Sequence, residues 1–242
     1  MIARSLLALM GVLVLAMVGH AQDNPPAGRE VVVELFTSQG CPNCPRANAF
    51  LADLSTQKDV IALSFAVDYW DYLGWRDTFA MPEFTARQYA YGKVLGTPRV
   101  YTPQIIIDGR KIYKGMREKK VRKAVEQQLQ NANTFDPDAP RVQAHLNAEG
   151  KLVLDISGSA NDKAAIWMAA YTPGAQSIEV KGGENKGKKM LQVNMVTGLT
   201  KLADWAGGHT RMVLPMPEEG GCAILLQANE QGPILAAAKV ES

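Results

Sequence analysis

The sequence predicts an α/β domain followed by a mainly antiparallel β domain with a sandwich-like arrangement. Over residues 29–135, apolar runs typical of buried strands alternate with segments of helical periodicity. Over residues 141–242, apolar segments of strand length mostly alternate in polarity and are separated by Gly, Pro and Asn, as in antiparallel sheets. The segment between them, Asp136 to Pro140, contains two prolines, and we expect few contacts to cross it.

The first domain has the predicted order β-α-β-α-β-β-α. Nearly uniform apolar runs indicate buried strands, and apolar residues at helical spacing, in one case after an initial proline, indicate helices. Asp108-Gly109 predicts a two-residue hairpin turn, because both positions of such a turn need positive φ. The strands are expected at residues 30–36, 60–67, 104–107 and 110–113, and the helices at 47–54, 82–95 and 121–129.

The second domain is predicted to be built from short strands. Its length of roughly a hundred residues is ordinary for a β-sandwich module. The strands are expected at residues 142–146, 152–156, 166–170, 190–196, 212–214 and 223–227.

Residues 1–21 are typical of a secretory signal peptide. Arg4 precedes an apolar run over residues 6–18, and the small residues Gly19 and Ala21 suit cleavage after Ala21. An uncleaved anchor is the alternative, but the run is shorter than the about 20 residues that span a bilayer. No later stretch is long and apolar enough to cross a membrane. We therefore expect a periplasmic or secreted protein, in a compartment where cysteines can be oxidised.

Composition excludes several classes of function. The 26 Lys and Arg residues nearly balance the 24 Asp and Glu residues, and a net charge of +2 does not indicate nucleic acid or an anionic membrane as the main partner. The three histidines, one of them in the signal segment, show no ligand spacing, so no metal centre is predicted.

The chemistry of the chain is expected at Cys41-Pro42-Asn43-Cys44, directly after a predicted buried strand and at the start of a predicted helix. A helix N-terminus carries positive potential, which stabilises a thiolate. Two intervening residues bring the sulfurs close enough to form a disulfide. We expect Cys41 to be the exposed nucleophile and Cys44 to be the buried thiol that resolves the mixed disulfide.

Two other interpretations of this pair remain open. A structural disulfide is common in exported proteins, although so small a loop adds little entropic stability. A half-site for a metal is the other interpretation, but zinc usually needs a second cysteine pair or a histidine pair, and the sequence has neither.

Several segments resemble the thioredoxin superfamily: the strand Val33 to Phe36 leading into the cysteine pair, the Thr102-Pro103-Gln104 step and the Asp108-Gly109 hairpin. More narrowly, the chain resembles an exported bacterial family of unknown function with a thioredoxin-like domain. That resemblance rests on the segments ELFTSQGCPNCPRA, VDYWDYLGW, FTARQYAY, YTPQIIIDG and GGENKG. The resemblance implies a thioredoxin-like α/β first domain and gives no substrate.

The same resemblance implies roles for further residues. Pro103 matches a cis proline that, with the preceding Thr102, presents backbone to an extended peptide; an ordinary trans proline is the alternative. Glu34 lies near the position of a buried carboxylate that moves the proton of the second cysteine, or else it is an exposed strand residue. Trp70 and Trp75 either line a groove for a partner peptide or close the core.

Two further features have two interpretations each. Cys222 lies in an apolar run and is by default a small buried hydrophobic residue; alternatively it approaches Cys41 as a third thiol. The basic segment 181–189 is expected to be a solvated connection; alternatively it leans over the active site and favours a thiolate.

The sequence thus predicts a periplasmic or secreted thiol–disulfide oxidoreductase that exchanges disulfides with a protein substrate and a redox partner protein. No cofactor beyond the redox-active disulfide Cys41–Cys44 is implied, because the dithiol itself carries the electrons. The alternative is a non-catalytic binding protein on a thioredoxin scaffold, including one that binds copper through the same two residues, since Cu(I) accepts soft thiolate ligands.

Overall fold

The computed structural model describes residues 29–97, 99–132, 134, 136–160, 162–229 and 231–242. The predicted signal peptide, residues 1–21, lies outside the described residues. The described chain has a mixed α/β fold with a large, mainly antiparallel β-sheet and few helices. Within the described ranges, no helix is both long enough and apolar enough to cross a lipid bilayer.

The first part of the chain has the predicted element order. Each strand and helix lies within a few residues of its expected position. The elements are β1 (Val31–Thr37), α1 (Cys44–Leu54), β2 (Val60–Ala66), α2 (Pro82–Val94), β3 (Gln104–Ile107), β4 (Lys111–Lys114) and α3 (Glu118–Ala132).

The second part is built from strands, as expected, but two of them are much longer than predicted and one was missed. The elements are β5 (Arg141–Leu146), β6 (Leu152–Ser157), β7 (Ala164–Glu179), β8 (Lys189–Trp205), β9 (Thr210–Leu214), β10 (Gly221–Ala228) and β11 (Ile234–Glu241). The missed strand, β11, contains three consecutive alanines, and alanine is depleted in strands.

One eight-stranded sheet runs through both parts of the chain, in the order β11-β10-β7-β8-β2-β1-β3-β4. Strand β8 joins the two parts by pairing in parallel with β2 at Ser64 and Met195. The expectation that few contacts cross between the parts is therefore wrong, while the boundary itself stays a prediction. A second sheet, β5-β6-β9, packs on the β7–β10–β11 portion through a shared apolar core.

Strand β1 is buried along its whole length and separates two apolar cores. Val31, Val33 and Leu35 pack with α1 and α3 on one face of the sheet. Val32 and Phe36 pack on the other face, against a core that includes residues of α2. Because successive side chains of a strand point to opposite faces, this alternation decides which residues of β1 can reach the cysteine pair.

Candidate functional site

The two cysteines lie where the chain passes from β1 into α1, and they are joined by a disulfide with their Cα atoms 5.4 Å apart. The helix begins at Cys44, with Asn43 as its N-cap residue. Pro45 therefore falls in the first turn, where the missing amide donor would have had no partner within the helix. This local arrangement places the disulfide at the positive end of the helix dipole.

Both cysteines are buried. Cys41 is 1 % exposed and Cys44 is 0 % exposed, whereas Pro42 and Asn43 between them are exposed. The prediction that Cys41 faces solvent is therefore wrong. The cause is tertiary, because the residues that pack on the pair come from far along the chain: Val180, Met190, Trp70 and Trp75.

The cover over the disulfide is the tip of the β7–β8 hairpin, residues 180–190, which we call the cover loop. Its central residue, Asn185, is fully buried, and its Nδ2 donates hydrogen bonds to the carbonyl oxygens of Gln39 at 2.9 Å and Cys41 at 2.7 Å. Lys188 Nζ donates to Asn185 Oδ1 at 3.1 Å. The prediction of a solvated connection is thus wrong for Asn185, although the lysines of the loop are exposed.

Trp70 and Trp75, the tryptophans expected near the cysteine pair, are half-buried, and each donates a hydrogen bond to a neighbouring residue of the site. Trp70 Nε1 donates to Thr102 Oγ1 at 2.7 Å, and Trp75 Nε1 donates to Gln39 Oε1 at 2.8 Å. Gly182 of the cover loop lies so close to Trp75 that a Cβ there would be 3.1 Å from its side chain. These contacts favour the packing interpretation of the tryptophans, and a role in binding a partner stays a prediction.

The Thr102–Pro103 peptide bond is cis, as the family resemblance implies. Thr102 is half-buried, and its hydroxyl oxygen accepts the hydrogen bond from Trp70, a residue that also packs against the cysteine pair. Pro103 is buried just before β3. The expected contact of these residues with a bound peptide stays a prediction.

Glu34 does not lie beneath Cys44. Its carboxylate is fully buried and forms an ion pair with Arg87 Nε at 2.7 Å, and it also accepts a hydrogen bond from the Tyr91 hydroxyl at 2.5 Å. Both partners belong to α2, on the face of the sheet opposite α1. The predicted proton transfer to Cys44 is therefore contradicted by position, because a shift of one residue along a strand moves a side chain to the other face.

The partners of Glu34 form a buried polar network that links the two parts of the chain. Arg87 Nη2 donates to Gln227 Oε1 of β10 at 3.1 Å, and Gln227 Nε2 donates to the Tyr91 hydroxyl at 2.8 Å. Burial and the negative charge of Glu34 raise the pKa of Tyr91 well above its ordinary value. Burial alone would lower the pKa of Arg87, but the charge of Glu34, the neighbouring Tyr91 and the hydrogen bond to Glu34 together outweigh burial, and the pKa is raised. The network is structural.

Sequence reasoning missed a set of buried, uncharged polar residues, two of which join β1 to α1. Thr37 and Asn48 are fully buried, and the Thr37 hydroxyl donates to Asn48 Oδ1 at 2.9 Å. Asn48 Nδ2, Ser64 Oγ and both side-chain polar atoms of Gln192 are buried without a hydrogen-bond partner. The available signal was the spacing of Asn48, one helical turn after Cys44.

Cys222 is buried in a different core from that of the disulfide. It lies among residues of β6, β7 and β11, with its thiol directed at Met216 Sδ, 3.9 Å away. Burial raises the pKa of the Cys222 thiol to about 11. The alternative in which Cys222 approaches Cys41 is therefore wrong. In the part of the chain that the structure describes, no group of three or more His, Cys, Asp or Glu residues is placed to hold a metal ion.

Comparison with known proteins identifies one protein family and similar solved structures. The family described as "Protein of unknown function (DUF1223)" matches residues 32–227. The crystal structure of protein AGR_C_4864 from Agrobacterium tumefaciens is 33% identical, with a TM-score of 0.75 over 88% of this chain and 95% of that chain. HBP35 of Porphyromonas gingivalis is similar in fold alone: 13% identical, with a TM-score of 0.57 over 88% of this chain and 74% of that chain. None of the curated proteins matches this chain.

Proposed function

This chain belongs to the DUF1223 family of proteins of unknown function, and we propose that it is an exported thiol–disulfide oxidoreductase with a thioredoxin-like active site. The observation that carries the proposal is the disulfide between Cys41 and Cys44 at the junction of a buried strand and a helix N-terminus. The cis peptide bond at Pro103, joined to the pair through Thr102 and Trp70, adds support.

The proposed reaction moves two electrons between dithiols and disulfides. In the reduced protein the Cys41 thiolate attacks one sulfur of a target disulfide, and the other target sulfur leaves as a thiolate. Cys44 then attacks Cys41, which forms the Cys41–Cys44 disulfide and releases the second target thiolate. A protein dithiol must reduce the pair again, and in the opposite direction the same steps oxidise a target dithiol. No organic cofactor takes part, because the two sulfurs carry the electrons.

The burial of the disulfide adds one requirement, namely that the cover loop moves before a protein target can reach Cys41. Residues 175–179 of β7 pair with residues 189–193 of β8, beyond the part of β7 that pairs with β10. A two-stranded extension of this kind is only marginally stable by itself. Pro42 and Asn43, the two residues between the cysteines, are exposed to solvent. The buried cysteine pair therefore lies close to the protein surface. Local opening of such segments is common in native proteins.

The proposed compartment is the periplasm or the extracellular space, which follows from the signal-like residues 1–21. The proposed partners are a protein that supplies the target thiol or disulfide and a second protein that exchanges electrons with the pair. The near-neutral charge of the chain gives no reason to add nucleic acid as a partner.

A second candidate function is favoured by the same burial. With both sulfur atoms covered, the disulfide has a structural role, in which it fixes the turn between β1 and α1 on which the cover loop packs. In that case the molecule is a non-catalytic binding protein, or it binds Cu(I) through the two thiolates after reduction.

Turnover by the purified mature protein tests the two candidates. We expect the protein to accelerate reduction of insulin by dithiothreitol, and Cys41→Ser to abolish this activity. Cys222→Ser is the matched control, because this cysteine lies in a separate core, and it should leave the rate unchanged. If the wild type is no faster than Cys41→Ser, both in this assay and in oxidation of a reduced unfolded protein, the oxidoreductase is excluded. Copper uptake that Cys44→Ser abolishes would then favour the second candidate.

A further inference from the structure

From the buried polar groups next to α1, we infer that Asn48 is the hydrogen-bond donor that stabilises the thiolate of Cys44 when the disulfide is reduced. Asn48 is a positioning residue for the reaction proposed above, and the inference rests on that proposed function. The neutral amide of Asn48 thus takes the role beside Cys44 that the family resemblance implied for the carboxylate of Glu34.

Helix geometry directs the amide of Asn48 toward Cys44. The two residues are four positions apart in α1, so they lie on one face of the helix, and both are fully buried. Helical side chains lean toward the N-terminus of their helix, over the preceding turn. The turn that precedes Asn48 on this face is the one that carries the sulfur of Cys44.

The hydrogen bond from Thr37 decides which end of the amide is free. Asn48 Oδ1 accepts the hydroxyl proton of Thr37 at 2.9 Å, which orients the amide and leaves Nδ2 as the end without a partner. A buried donor without an acceptor is unfavourable and rare in native proteins. The proposed partner of this donor forms in another state of the molecule.

Reduction of the disulfide supplies that partner. A disulfide sulfur is a weak acceptor. When a thiolate of the redox partner attacks Cys41 and forms a mixed disulfide with it, Cys44 leaves as a thiolate, and its sulfur becomes a strong, negatively charged acceptor. Hydrogen bonds to charged acceptors are about twice as strong as bonds between neutral groups. The donor of Asn48 thus lowers the pKa of Cys44 and favours the reduced form of the pair.

Three charged groups on the elements around Cys44 already have other partners, and the remaining lysines of the cover loop, Lys181, Lys186 and Lys189, are exposed. Lys188 of the cover loop donates to Asn185, and Arg46 of α1 forms an ion pair with Glu118 at 2.7 Å. Burial raises the pKa of Asp77, and its Oδ2 accepts a hydrogen bond from the backbone amide of Gln39 at 2.7 Å. Ser64 Oγ and Gln192 Nε2 are also buried without a partner, but Asn48 Nδ2 is the unpartnered donor that lies on α1 itself, one helical turn from Cys44.

The test measures the pKa of Cys44 and the thiol–disulfide equilibrium of the full mature chain. The pKa is read from the ultraviolet absorbance of the thiolate in a Cys41→Ser/Cys222→Ser background, without any partner protein. We expect Asn48→Leu to raise the pKa of Cys44 and to shift the equilibrium with glutathione toward the disulfide by roughly ten- to a hundredfold. Ala49→Leu, which places the same side chain on the exposed face of α1, should change neither quantity.

Thr37→Val keeps the inference testable if Asn48→Leu does not fold. It removes the hydroxyl that orients the amide, and we expect a shift in the same direction that is smaller than that of Asn48→Leu. An unchanged pKa of Cys44 in Asn48→Leu, or in Thr37→Val where the first variant does not fold, would overturn the inference. Because this pKa needs no turnover, its outcome is independent of the insulin assay that tests the proposed function.

Discussion

At the scale of single residues, Glu34 and Arg87 are the most tightly buried pair of opposite charges described in this chain, with side chains 0% and 2% exposed. Taking two charges out of water is costly, and the pair offsets that cost only while both partners are present. The aromatic rings of Phe65 and Tyr91 lie beside the guanidinium, at 5.7 Å and 5.0 Å from its central carbon. The pair therefore contributes to folding rather than to thiol chemistry.

This assignment predicts the behaviour of Glu34→Gln. The variant leaves Arg87 buried without its counter-charge, so we expect the free energy of unfolding to fall by about 3–5 kcal/mol, measured by urea denaturation. The pKa of Cys44 should not change, because Glu34 lies on the other face of the sheet. The double variant Glu34→Gln/Arg87→Met should recover part of the loss. A shift in the pKa of Cys44 in Glu34→Gln would restore the proton-transfer role.

At the scale of elements, the β7–β8 hairpin decides how accessible the disulfide is. Its strands have 16 and 17 residues, more than twice the length of β1 or β2. This extra length carries the cover loop over the N-terminus of α1. There the buried Asn185 attaches the cover loop to the backbone around Cys41 by donating two hydrogen bonds.

The two hydrogen bonds of Asn185 predict the effect of Asn185→Ala. Loss of two buried hydrogen bonds, each contributing about 1 kcal/mol, should increase the open fraction of the cover loop by roughly tenfold or more. We therefore expect faster reduction of the Cys41–Cys44 disulfide by a small thiol reagent, measured under conditions where the protein stays folded. Glu184→Ala is the matched control, because the neighbouring Glu184 is exposed. Equal rates for Asn185→Ala and the wild type would mean that this residue does not hold the cover closed.

At the scale of the whole molecule, the two parts of the chain depend on each other. Strand β8 lies beside β2 in the sheet, and Val193 of β8 belongs to the core formed by β1, α1 and α3. Tyr171 and Leu225 belong to the core on the other face of β1. The family match over residues 32–227 also runs through both parts. Separation at residue 136 would thus expose apolar surface on both faces of the sheet and the paired edge of β2.

We therefore expect the fragment 29–135 not to fold as a stable monomer. Thermal unfolding followed by circular dichroism should show no cooperative transition, or the fragment should aggregate, because an uncovered apolar sheet edge favours association. The mature full chain is the control. A cooperative transition of the soluble fragment would instead establish residues 29–135 as an independent domain.

Local signals in the sequence predicted the features that depend on neighbouring residues. The element order of the first part, the cysteine pair between a strand and a helix, and the cis bond before Pro103 all follow from periodicity, from turn residues or from a resemblance carried by short motifs. Residues 172–179 of β7 and 197–205 of β8 were not predicted. Each of these halves pairs only with the other strand of the hairpin, and each lacks the strict alternation of a half-buried strand.

The surroundings of the disulfide were decided by the tertiary structure. Asn185 reaches the carbonyl of Cys41 across 144 positions of the chain, a contact for which no local pattern exists. The face on which Glu34 lies was readable only from the register of β1, because one residue of offset reverses the direction of a side chain. The sequence by itself thus determined which sulfurs are paired at the end of α1. Long-range packing determined that they are covered and that Glu34 lies on the opposite face of the sheet from α1.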